Sequence, residues 1–166
     1  MEEKSSRRIW VDALGAVGLI ASMVFVGLEI RQNTVATRAG TAQAVFEENS
    51  AWIVGMLQNR PMVELLVEVK ANPDTIESMD GTPEGMMLQM WAASNFEYFQ
   101  NVWYQAQTGA LDERLWTLSQ NAAFTALATD PVALYHWPRM RDGYFPGFQA
   151  LGDELFGNEA EVIPNR

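Results

Sequence analysis

Residues 13–28, ALGAVGLIASMVFVGL, form sixteen consecutive positions without a charge or a proline. Widening the run to 9–30 makes twenty-two, with Asp12 and Glu29 the only charged residues inside it. At ~1.5 Å rise per residue such a helix is ~33 Å long, enough to cross a hydrocarbon core of ~30 Å. Trp10 stands where an interfacial aromatic belongs, and Arg7, Arg8 and Arg31 flank the run. Two other structures compete for the segment. A buried core helix can carry an uncharged stretch of this length, and a signal peptide also joins basic and apolar residues near its start. A signal peptide ends its apolar region at a small-x-small cleavage site. Here the run continues through Val24-Phe25-Val26 into Glu29-Ile30-Arg31-Gln32. The expectation is one transmembrane helix at 9–30.

That helix has two unlike faces. At ~100° per residue, Asp12, Gly15, Gly18, Ser22 and Glu29 fall within an arc of about 120°. Trp10, Leu14, Val17, Ala21, Val24 and Leu28 lie opposite. Small residues let a second backbone come close in lipid, and Gly18 and Ser22 have the small-xxx-small spacing. Carboxylates within or near a span face protein or water rather than acyl chains. The small, polar face is therefore the expected docking face, against a copy of the chain or another membrane protein. The alternative is that the glycines are incidental and both acids reach out to the interfaces.

Charge divides the chain at the same place. The net charge is −10, but residues 1–40 carry +1 and residues 41–166 carry −11. An acidic surface repels phosphates, which excludes nucleic acid as a partner. The absence of cysteine excludes disulfides, thiolate metal sites and cysteine nucleophiles. The domain reading is a basic flank at 1–8, the span at 9–30, an acidic helical domain at 31–157 and a loose tail at 158–166. Three basic residues before the span against two after it orient the N-terminus to the cytoplasm and the acidic domain to the periplasm. The expected location is the bacterial inner membrane, crossed once, with membrane lipid as a partner.

Beyond the span, Val35, Ala39, Ala42, Phe46, Asn49, Ile53 and Met56 repeat at steps of four and three, a helical stripe. No proline interrupts 9–60, so the span can run directly into this helix. Asn59 and Pro61 start a short helix that ends at Asn72-Pro73, and residues 73–83 read as a loop. Thr82-Pro83-Glu84 combines an N-cap, a proline at the first position and an acid in the first turn. That helix stops at Thr108-Gly109. Others follow at about 112–128, 132–141 and 146–156, the last closed by Gly157. No strand alternation between hairpin turns occurs. The fold class is all-α: a single N-terminal transmembrane helix followed by an antiparallel bundle of about five helices.

Three stretches carry a resemblance. They are Gly27-Leu28-Glu29-Ile30-Arg31-Gln32-Asn33-Thr34; Phe96-Glu97-Tyr98 on a helix that ends before Gly109-Ala110-Leu111-Asp112, with Trp116 after it; and Pro131, Trp137 and the pair Phe145 and Phe148. Together they resemble a widespread group of bacterial proteins with one N-terminal span and a small helical domain. The resemblance covers most of the chain and implies architecture alone, with no activity to carry over.

Chemistry finds little to work with. A di-iron bundle needs two Glu-x-x-His pairs, whereas the chain has one histidine, His136, and Ala133 stands three residues before it. One histidine without cysteine is a poor zinc set, and Asp74, Glu77 and Asp80 lack calcium-loop spacing. No Gly-x-Ser-x-Gly, phosphate loop or dinucleotide fingerprint is present. His136, within Leu134-Tyr135-His136-Trp137, reads as a hydrogen-bonded packing residue. Glu97, amid Phe96, Tyr98, Phe99, Val102 and Trp103, reads as a buried carboxylate paired with Arg114, Arg139 or Arg141. The functional alternative makes Glu97 a polar anchor in a ligand pocket, and a cavity beside it with no arginine in contact separates the two. No catalytic residue, cofactor or metal is expected. The expected function is a non-enzymatic, membrane-anchored interaction protein, an accessory or stabilising subunit of a larger membrane complex of respiratory or photosynthetic type. The alternative is a membrane-tethered sensor or ligand-binding domain.

Overall fold

Prolines and capping side chains set most of the helix boundaries. The computed structural model describes the backbone of residues 2–160 and the side chains of residues 14–157 other than Ser119. Among these residues there is helix and no strand. Helix α1 covers Glu2–Gln58 without a break, since Asn33 and Gly40 are absorbed into it and Thr34 Oγ1 donates to the Ile30 carbonyl oxygen at 2.9 Å. Asn59 caps α2 (Arg60–Ala71), its Oδ1 accepting from the Met62 N–H at 3.3 Å. A short helix, α3 (Thr75–Ser78), lies in what reads from sequence as loop. Thr82 caps α4 (Pro83–Gln107) through the Gly85 N–H at 3.1 Å. Asp112 caps α5 (Glu113–Leu115), which leads through a π-helical turn, Trp116–Gln120, into α6 (Asn121–Ala126). Asp130 caps α7 (Pro131–Met140). Helix α8 (Pro146–Ala160) continues past Gly157, which therefore does not terminate it. Of the loose tail expected at 158–166, residues 158–160 belong to this helix instead, and 161–166 lie outside the described residues.

The chain separates into two compact units, Met1–Gly40 and Thr41–Arg166. In the first, every described side chain from Leu14 to Gly40 is exposed, including Leu14 at 69% and Phe25 at 66%. This is one helix long and apolar enough to span a membrane, with a mean hydropathy of 1.7 and none of that window buried. Two glycines of the predicted docking face, Gly15 and Gly18, have nothing within 4 Å of where a Cβ would stand. Ser22 and Glu29 are exposed too, and Asp12 lies outside the described side chains.

The second unit holds the core. Helix α4 supplies Leu88, Trp91, Ala92, Phe96, Phe99, Val102 and Ala106, and it packs on α7 and α2. Phe96, Phe124, Trp137, Phe148 and Phe156 are fully buried or nearly so. Phe96 meets Trp137 edge-on at 5.1 Å, and Phe124 lies 5.0 Å from Phe148. Each such ring removes a large apolar area from water, and edge-on pairs add ~0.5–1.5 kcal/mol. Within this unit α1 turns Ala42, Val45, Trp52 and Met56 toward the core. The expected stripe is thus rotated. Val35, Phe46 and Ile53 are exposed, whereas Val45 is buried and Ala42, Trp52 and Met56 pack half-buried against the core.

Candidate functional site

Glu97 is exposed rather than buried. The error in the sequence reading is angular. At ~100° per residue Glu97 stands nearly opposite the row Leu88, Ala92, Phe99 and Ala106, although Phe96 and Tyr98 are its chain neighbours. The three expected arginine partners are committed elsewhere. Arg114 grips Asp112 with two bonds, Nε at 3.0 Å and Nη2 at 2.7 Å, which hold its already high pKa higher still. Arg139 lies 3.7 Å over the Tyr135 ring and donates to the Tyr135 carbonyl oxygen at 2.6 Å. Arg141 donates to both carboxylate oxygens of Asp153, which also accepts from Trp137 Nε1 at 3.0 Å. Those bonds, Arg141 first, hold the Asp153 pKa below its ordinary value. Among the described residues no ion pair joins Glu97 to an arginine.

Glu97 instead lines a cleft of about 390 Å³ between the second unit's part of α1 and the middle of α4. Helix α1 contributes Glu48, Asn49 and Trp52; α4 contributes Ser94, Asn95, Glu97, Tyr98, Phe99 and Asn101. No arginine, lysine or histidine lines it. On α4, Ser94, Glu97, Tyr98 and Asn101 follow i, i+3, i+4, i+7 and so share one face. Local hydrogen bonds orient several of these groups. Ser94 Oγ donates to the Trp91 carbonyl oxygen at 3.0 Å, and Asn95 Nδ2 donates to the same oxygen at 2.7 Å. Tyr98 Oη donates to Gln120 Oε1 at 3.1 Å, tying the cleft wall to the π-helical turn. Burial, with the Glu48 carboxylate second, pushes the Tyr98 phenol up to about 12. Burial and the nearby Glu97 do the same for Tyr144, also to about 12. Both phenols stay protonated at neutral pH and remain donors.

The other two predicted polar anchors are elsewhere. Arg114 is on exposed α5, paired as above. His136 is 5% exposed on α7, edge-on to Tyr135 at 5.1 Å, and its Nε2 has no hydrogen-bond partner. The packing part of the expected reading, a hydrogen-bonded packing residue, is met, whereas Nε2 makes no hydrogen bond. Burial first, and the Arg139 charge second, lower the His136 pKa, so the ring is neutral at pH 7. Sequence reasoning missed Glu48, Trp52, Ser94, Asn95 and Asn101. A legible signal existed in Ser94-Asn95, two polar residues interrupting an otherwise apolar helical run. Glu48 and Trp52, four apart on one helix face, gave another. Among the described residues no group of three or more His, Asp or Glu side chains is arranged to hold a metal ion. No family model matches the chain, and no curated protein or solved structure matches it.

Proposed function

We propose that the chain is a non-enzymatic, membrane-anchored interaction protein, an accessory or stabilising subunit of a larger membrane complex. Respiratory and photosynthetic assemblies are the hosts we favour. In this reading residues 9–30 cross a bacterial inner membrane once, with the N-terminus cytoplasmic and an antiparallel helical bundle in the periplasm. One observation carries the proposal: the described apolar side chains from Leu14 to Ile30 are exposed. Lipid covers the bulky face, and a partner helix covers the face of Asp12, Gly15, Gly18, Ser22 and Glu29. The test is gentle solubilisation from native membranes, followed by sizing and identification of co-purifying chains. Gly18→Leu with Ser22→Leu, which fills the small face, releases the partner while the protein stays in the membrane. A wild-type protein that purifies as a lone monomer overturns the proposal.

A second reading, a tethered ligand-binding domain, draws on a different observation. The cleft beside Glu97 has no arginine in its walls.

A further inference from the structure

We infer that the cleft between Trp52 and Tyr98 binds a small organic cation with N–H donors, an alkylammonium or alkylguanidinium. The inference rests on the ligand-binding reading above and names the ligand class. It starts from which hydrogen-bonding groups the fold leaves unspent. Ser94 and Asn95 both give protons to the Trp91 carbonyl oxygen, and Tyr98 gives its proton to Gln120. What remains at those positions is the Ser94 hydroxyl lone pairs, and Oδ1 with one N–H on Asn95. Glu48 and Glu97 add two carboxylates from separate helices, with no basic side chain among the lining residues. Two carboxylates without a base favour a ligand that brings positive charge and N–H donors to them. An anion meets two like charges here.

The walls give the body of such a ligand somewhere to lie. Trp52 and Tyr98 are half-buried and Phe99 is buried, so aromatic faces line a space that carboxylates border. An ammonium or guanidinium over an indole or phenol face gains ~0.5–2 kcal/mol, most where water is excluded. The volume of about 390 Å³ falls within the ~300–1,000 Å³ range of small-molecule pockets.

The experiment uses the full chain in phosphatidylglycerol nanodiscs, whose lipid carries no amine. Equilibrium dialysis compares 2-phenylethylammonium with its neutral isostere 2-phenylethanol. The expected result is retention of the cation with a dissociation constant of about 1 mM or below, and of the alcohol at least about tenfold more weakly. Glu48→Gln with Glu97→Gln weakens the cation about tenfold, whereas Glu68→Gln with Glu77→Gln leaves it unchanged. All four carboxylates belong to exposed residues, so both double variants fold, and unchanged melting curves verify it. Equal binding of cation and alcohol overturns the cation inference and leaves the ligand-binding reading standing. An equal loss in both double variants overturns it as well, by showing attraction to the acidic surface at large. If neither probe is retained up to about 10 mM, the inference and the ligand-binding reading fall together.

Discussion

A proton added to His136 inside the fold places charge in an apolar site beside the Arg139 guanidinium, and this fixes the sign of a pH response. The folded-state pKa lies below the ordinary 6.5, so between the two values the unfolded chain holds more protons. Stability is full above 6.5 and declines as pH falls through 6.5 toward the folded value. Asp153 works in a separate window: its lowered pKa contributes stability that is present above 3.8 and lost as pH falls below it. Thermal melts from neutral pH down to about 5 isolate the histidine, and His136→Phe flattens that part of the curve. Gly152 makes a second prediction at this scale. A Cβ there would overlap the Trp137 indole, which is 2% exposed and cannot swing aside. Gly152→Ala costs ~1–3 kcal/mol in denaturant unfolding, whereas Gly143→Ala, where nothing lies within 4 Å, costs far less.

Helix starts were the most legible elements, because a cap is written in adjacent residues. Asn59-Arg60-Pro61, Thr82-Pro83-Glu84 and Asp130-Pro131 each begin a helix where their side-chain chemistry predicts. What the local pattern could not supply was the direction each face points. The four-and-three stripe of α1 includes Met56, which does pack on the core, but takes in Phe46 and Ile53 in place of Val45 and Trp52. Hydrophobicity alone does not distinguish two rows one residue apart. Glu97 failed for the same reason, its sequence neighbours being mistaken for spatial ones. The cleft was legible only in part, since it needs two helices far apart in the chain. At Asp130 the sequence showed the cap but not its second partner: Oδ1 accepts from the Val132 N–H at 3.0 Å while Oδ2 meets Lys70 Nζ at 2.8 Å. Asp130→Ala therefore costs ~1–2 kcal/mol from the cap alone, read by chemical denaturation. Asp130→Asn keeps a capping oxygen and loses less.

At the scale of the whole molecule, the membrane attachment proposed above and the folding of the unit Thr41–Arg166 are expected to be separable properties. Val17 and Val24 are exposed on the bulky face of the apolar segment. Lysine at both positions adds ~2.5–3.5 kcal/mol each to the cost of burial in lipid. The expected outcome of Val17→Lys with Val24→Lys is release from membranes by alkaline carbonate, with the tryptophan near-ultraviolet spectrum unchanged. Loss of that spectrum together with attachment would show that the two are coupled. Within the acidic domain the reverse holds, and Asp130 is the reason. One buried carboxylate closes the start of α7 with one oxygen and holds a lysine of α2 with the other, so neither helix leaves without disturbing it. In amide hydrogen exchange, the protected protons of α2 and α7 then share one opening event, and Lys70→Met speeds exchange at Val132, sixty-two residues along the chain.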